Sequence, residues 1–183
     1  YHSLTRRYES GGNQSERWGY YPDGRLAYAE GGSKRYDYSY HVSGLLKEKR
    51  CGNRVLVGYE YDLDGNITAM TDHTGKRVRY LYDDCGLLEY IYDGSALLAE
   101  YGYYPDHSRK MQRIGSDIFT EYAYDVDKNL ESLHTYIGGD TGAHQILASN
   151  KYTYDNNGRM TEKETLDGTT RYTYNEVNAL VKA

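Results

Sequence analysis

At 183 residues, with 22 Lys and Arg against 27 Asp and Glu for a net charge of −5, the chain shows no basic stripe along its length that would suit nucleic acid. Its apolar runs stop at segments such as Ala96-Leu97-Leu98-Ala99, far short of the ~20 residues of a membrane span. Tyrosine occurs 24 times against one Phe and one Trp, and mean hydropathy is −0.88, so an ordinary aliphatic core is excluded and tyrosine rings must supply most of any interior.

The first predicted element is a weak copy, starting at Trp18, of a nine-residue pattern whose consensus is Y-x-Y-D-x-x-G-x-[L/I]. A second weak copy starts at Tyr38. The pattern is clear at Tyr59, Tyr61, Asp62, Gly65 and Ile67, and again at Tyr80, Tyr82, Asp83, Gly86 and Leu88. Weaker copies follow at Tyr101 and at Tyr122, Tyr124 and Asp125. Tyr152, Tyr154, Asp155 and Gly158 restore it, with Met160 in the last slot, and Tyr172 and Tyr174 open the final copy. Aligned on the seventh position, the copies place Gly24, Gly44, Gly65, Gly86, His107, Lys128, Gly158 and Asn178 in register. The intervals are 20, 21, 21, 21, 21, 30 and 20 residues, which predicts an array of eight repeats over 1–183 with one insertion around 138–147.

Each repeat reads as a β-hairpin. Tyrosines at the first and third positions share one face of a strand. The Asp at the fourth position can accept backbone N–H groups two residues on, and Gly at the seventh tolerates positive φ. A second reversal is expected midway, at Gly31-Gly32, Gly52-Asn53, Thr74-Gly75, Asp93-Gly94, Gly115-Ser116 and Asp167-Gly168. Two strands of about seven residues per repeat follow, each roughly 23 Å long. Helical periodicity is nowhere sustained, so the fold class is all-β: tandem β-hairpin repeats in a curved or spiralling antiparallel sheet.

Candidate chemical sites are few. Asp62, Asp64 and Asn66 open like a calcium loop, but the glutamate that would complete it is missing, and turn capping explains Asp62, Asp83, Asp125 and Asp155 equally. No metal and no cofactor are expected. Of the six histidines, His41 and His107 occupy degenerate motif slots, and His2, His73, His134 and His144 are expected in or near loops. Cys51 and Cys85 fall at opposite hairpin ends and are expected as free thiols. Asn13-Gln14-Ser15 and Asn66-Ile67-Thr68 fit the N-glycosylation pattern. No nucleophile or acid–base constellation stands out, so no enzyme is expected.

Tyr-Asp followed by x-x-Gly-x-Leu at intervals near 21 residues resembles the YD repeats of the Rhs family. Bacterial Rhs and wall-associated proteins, shell subunits of insecticidal toxin complexes and animal teneurins share that repeat. The resemblance runs from about Trp18 to Leu180. It implies a β-strip that spirals into a hollow shell, enclosing a cytotoxic C-terminal domain in the toxins and serving an adhesion receptor in teneurins. Tyr21, His41, Tyr104 and Asn175 depart from the pattern at the fourth position. His107, Lys128 and Asn178 depart at the seventh, and an altered turn is expected at Lys128. The family's core segment has no counterpart, and the only prolines are Pro22 and Pro105. An internal stretch of a larger protein is therefore expected. Sixteen strands would make a strip roughly 75 Å wide at ~4.8 Å spacing, an arc of a shell.

The function implied is a non-catalytic structural segment of a secreted or surface toxin protein that encapsulates or presents another domain. The alternative is a module binding carbohydrate or a cell-surface protein through exposed tyrosine rows. Expected partners are neighbouring repeats and an encapsulated C-terminal domain, with glycans under the alternative and self-pairing at cut sheet edges a hazard.

Overall fold

The computed structural model describes residues 2–4, 16–138 and 145–182, and among them every regular element is a β-strand. The sequon Asn13-Gln14-Ser15, His144 and the centre of the expected insertion lie outside the described residues. The chain divides into two compact units, residues 1–81 and 82–183.

The first unit is an antiparallel meander of β1 (His2–Leu4), β2 (Arg17–Tyr20), β3 (Leu26–Gly31), β4 (Lys34–Tyr40), β5 (Leu46–Cys51), β6 (Arg54–Tyr61), β7 (Ile67–Asp72) and β8 (Arg77–Tyr82). Tyr82 at the end of β8 opens the second unit. Each strand pairs with its neighbours in sequence. The second unit repeats this plan with β9 (Leu88–Asp93), β10 (Ala96–Tyr103), β11 (Arg109–Ile114), β12 (Ile118–Tyr124), β13 (Leu130–Ile137), β14 (Gln145–Tyr154), β15 (Met160–Thr165) and β16 (Gly168–Arg171). A separate ribbon pairs β17 (Thr173–Tyr174) with β18 (Leu180–Lys182).

Backbone chemistry explains the regularity. In each nine-residue motif the fourth residue's N–H donates to the eighth residue's carbonyl, and the seventh residue's N–H donates back to the fourth's carbonyl. At Asp62 these bonds measure 3.0 Å, from its own N–H to Asn66 O, and 3.3 Å, from Gly65 N–H to Asp62 O. Closing so tight a loop puts the seventh residue in the left-handed region, and φ there runs from 61° at Asn178 to 90° at Gly44 and Gly65. Lys128 corrects the expectation of an altered turn. Its φ is 66°, and both loop bonds form at 3.0 Å. The hydrogen bonds over-determine the loop, so lysine accepts a conformation that costs an L-residue about 1–2 kcal/mol. A register shift sits just before the third motif position, for example between Glu60 and Tyr61 and between Thr153 and Tyr154.

At the other hairpin ends, Gly32, Gly52 and Gly94 have φ of 59°, 58° and 60° while their followers do not have positive φ, the pattern of type II′ turns. Gly32-Ser33 and Gly94-Ser95 form these turns, one residue later than the dipeptides expected. Thr74-Gly75 belongs to a longer loop than expected. Asp72 N–H donates to Lys76 O at 2.9 Å and Gly75 N–H to Asp72 O at 3.1 Å, so this end carries a second D-x-x-G loop.

The interior is thin. Among the described residues the buried side chains are Ala27, Ala69, Ala99 and Thr120, and most tyrosines are half-buried. Gly19 lies under Tyr28, so that an added Cβ would stand 2.1 Å from the Tyr28 ring. Gly19 thus makes room for the ring of its cross-strand partner Tyr28.

Candidate functional site

The motif residues gather along one end of each hairpin. Tyr59 and Tyr61 close β6, Asp62 and Gly65 make the turn, and Ile67 opens β7. Tyr80 and Tyr82 lie in β8, Asp83 and Gly86 in the turn, and Leu88 opens β9. Tyr122 and Tyr124 end β12 before Asp125, and Tyr152 and Tyr154 end β14 before Asp155 and Gly158. Tyr172 precedes β17, which contains Tyr174.

At Tyr40, Tyr61, Tyr103, Tyr154 and Tyr174 the third-position tyrosine reaches back one repeat, whereas among the described residues Tyr124 makes no such bond. Its hydroxyl donates to the carbonyl of the previous repeat's ninth residue: Tyr40 to Leu26 at 2.9 Å, Tyr61 to Leu46 at 2.9 Å, Tyr103 to Leu88 at 2.8 Å, Tyr154 to Leu130 at 2.9 Å and Tyr174 to Met160 at 2.8 Å. Burial pushes the Tyr40, Tyr61 and Tyr154 hydroxyls above the usual phenol range. The result is a ladder in which one side chain ties adjacent repeats.

The fourth position has two chemistries. Where it is Asp or Asn, the side chain caps its own turn. Asp62 Oδ1 accepts N–H bonds from Asp64 at 3.0 Å and Asn66 at 2.8 Å, while Oδ2 accepts from the Asn66 amide at 3.0 Å. Asp83 accepts from Cys85 and Leu87, Asp125 from Asp127 and Asn129, Asp155 from Asn157 and Arg159, and Asn175 from Val177 and Ala179. Desolvation opposes ionisation of Asp62, but the Asn66 and backbone donors outweigh it and hold the carboxyl below its ordinary value. The Asn129 amide does the same for Asp125, and the Arg159 guanidinium for Asp155.

Where the fourth position is aromatic, it reaches forward instead. The Tyr21 hydroxyl donates to Tyr38 O at 2.9 Å and Tyr104 to Tyr122 O at 3.0 Å. His41 Nε2 lies 3.0 Å from Tyr59 O, and since a carbonyl can only accept, that nitrogen carries the proton. Each ring also meets the next repeat's third-position tyrosine edge to face, as Tyr21 does Tyr40 at 5.9 Å and 85°. In the two tyrosine cases capping passes to the sixth position. Asp23 accepts from Arg25 N–H at 3.1 Å, and Asp106 from Ser108 N–H at 3.1 Å. Sequence reasoning treated Tyr21 and Tyr104 as degenerate. Both stand in the tetrapeptide Tyr-Tyr-Pro-Asp, at 20–23 and 103–106, and that recurrence was the available signal.

One expectation is corrected. His134 is not in a loop: it sits within β13, half-buried, with Nδ1 3.0 Å from Ser149 Oγ. The Asn66 sequon amide is engaged on Asp62. Cys51 is half-buried and Cys85 exposed, and both are free. Among the described residues no group of three His, Cys, Asp or Glu side chains is placed to hold a metal ion.

A meander of short hairpins with D-x-x-G turns and inter-repeat tyrosine bonds defines a β-hairpin repeat array. Residues 61–95 match the RHS repeat family model, and the chain carries that repeat. Its fold is shared with crystal structures of TcdB2-TccC3-TEV, at a TM-score of 0.75 and 15% identity, and of TcdB2-TccC3, at 0.74 and 15%. A Photorhabdus luminescens Tc holotoxin pore matches at 0.73 and 16%. Each match covers 91% of this chain and 10% of the other, so this chain spans about a tenth of the length of those proteins. No curated relative matches the sequence.

Proposed function

We propose that this chain is a length of wall in an RHS-type shell, a non-catalytic structural segment of a secreted toxin protein that encloses or presents another domain. The observation that carries this reading is the tyrosine ladder. Its hydroxyl bonds run between repeats, so the third-position tyrosines serve continuity of the strip. The likeness to TcdB2-TccC3 over most of the chain supports the same reading. Glycan recognition gains less support, because the third-position hydroxyls that would meet a sugar already donate to backbone carbonyls.

The test is protease protection in the natural full-length protein. The domain adjoining the repeats should resist digestion until the shell is opened by joint Tyr61→Ala and Tyr154→Ala substitution. Equal digestion with the shell intact would overturn the proposal.

A further inference from the structure

Asn157 holds the sixth motif position in the turn that joins β14 to β15, and Asn157-Gly158 is the one Asn-Gly dipeptide in the sequence. Both residues are exposed, and a Cβ added at Gly158 would meet nothing within 4 Å. Among the described residues the Asn157 side-chain amide makes no hydrogen bond. Only its backbone N–H is held, by Asp155 Oδ1 at 2.9 Å. Other asparagines of the turns are engaged. Asn66 and Asn129 donate their amides to Asp62 and Asp125, each at 3.0 Å, and bulky Ile67 and Leu130 follow them. The Asn175 side-chain oxygen caps its own turn, and that of Asn178 accepts from Arg159 at 2.6 Å.

A free side-chain amide ahead of glycine is open to attack by the backbone nitrogen that follows it. We propose that Asn157 is a site of spontaneous deamidation through a succinimide, with water as the co-reactant. Gly158 N loses its proton and bonds to Asn157 Cγ, and ammonia leaves. Water then adds to either imide carbonyl. Opening at Cγ breaks the new bond and gives aspartate, whereas opening at the backbone carbonyl breaks the old peptide bond and gives isoaspartate. Other turns already carry Asp at this position, at Asp23, Asp64, Asp106 and Asp127, so the aspartate product fits. Isoaspartate adds a methylene to the main chain inside a loop closed by two bonds of 2.9 Å, Asp155 N–H to Arg159 O and Gly158 N–H to Asp155 O. It cannot keep both. The second bond also sets the pace, because the attacking nitrogen is released only when the turn opens. Ageing therefore loosens this one hairpin end, a chemistry independent of the shell reading.

Peptide mapping by mass spectrometry of the full 183-residue chain, held at body temperature in mildly alkaline buffer, tests this. The peptide containing Asn157 should gain the mass of an amide turned carboxylate and split into aspartate and isoaspartate forms. Chain unfolded in urea should react faster, which reads the restraint of the turn without any substitution. Asp155→Ala removes the carboxylate cap and should raise the folded rate about fivefold, the effect of one ordinary hydrogen bond on a local opening equilibrium. Circular dichroism establishes that this variant folds. Asn157→Gln should remove the reaction. Asn157→Asp should melt with the fresh native chain, while the aged chain melts lower. A folded chain unchanged at Asn157 over the time in which the unfolded chain is converted would overturn the proposal. So would equal rates folded and unfolded, or faster conversion at Asn53 or Asn156.

Discussion

Replacing Tyr61 by Phe removes one oxygen and leaves the ring in place against His41, 5.6 Å away at 86°. What disappears is the 2.9 Å bond to Leu46 O, the tie between two repeats. A neutral hydrogen bond contributes about 1 kcal/mol net, and the half-buried carbonyl left behind keeps the loss near the upper part of a 0.5–1.5 kcal/mol range. For a cooperative chain of this length that lowers the melting temperature by about 2–4 °C. Tyr59→Phe is the control. It sits two residues away, its ring lies 6.4 Å from that of Tyr61, and among the described residues its hydroxyl makes no hydrogen bond. Its loss should stay within about 0.5 kcal/mol. Thermal unfolding followed by far-ultraviolet circular dichroism separates the two. Equal losses, or a larger one at Tyr59, would refute the ladder as a source of stability.

Lys128→Gly should raise the urea midpoint, relieving a left-handed lysine worth about 1–2 kcal/mol, less the ≤1 kcal/mol or so of its exposed pair with Asp106. Gly65→Ala, at φ 90°, should lower that midpoint by about the same 1–2 kcal/mol. Gly19→Val should destabilise by about 1–3 kcal/mol because its Cβ meets the Tyr28 ring, and adding Tyr28→Ala should recover part of the loss in the same melt. Stability against pH should fall at both extremes. The capping carboxyls of Asp125 and Asp155 titrate lower in the folded chain, so their contribution is present above about pH 4 and lost as pH drops through the folded values. The Tyr61 and Tyr154 hydroxyls titrate higher when folded, so theirs is present below about pH 10 and lost above it. A flat profile in either limb would contradict the corresponding bonds.

Much of the fold was legible because its signal is periodic. Spacing of Asp62, Gly65 and Ile67 and their equivalents places the turns, and alternation of tyrosines places the strands. The bonds that hold repeats together were not legible, because they run between residues such as Tyr154 and Leu130 whose separation depends on register. Tyr21 and Tyr104 were read as losses of Asp, whereas each substitutes a forward bond and hands the cap to Asp23 or Asp106. Lys128 shows the same limit: a propensity argument on one residue missed the backbone bonds that decide its conformation.

The tie from Tyr154 to Leu130 spans 24 residues, against 15 for Tyr61 to Leu46, yet both measure 2.9 Å. The added length therefore leaves the turn-bearing end undisturbed. The strip behaves as cloth with one bound hem and one loose one. Along the bound hem, length is fixed by side chains that must meet a carbonyl one repeat away. Along the loose hem no tyrosine tie of that kind is found among the described residues, so a hairpin there can lengthen without breaking the ladder. Evolution in such a fabric would be expected to add loops, and whatever those loops recognise, on that side alone.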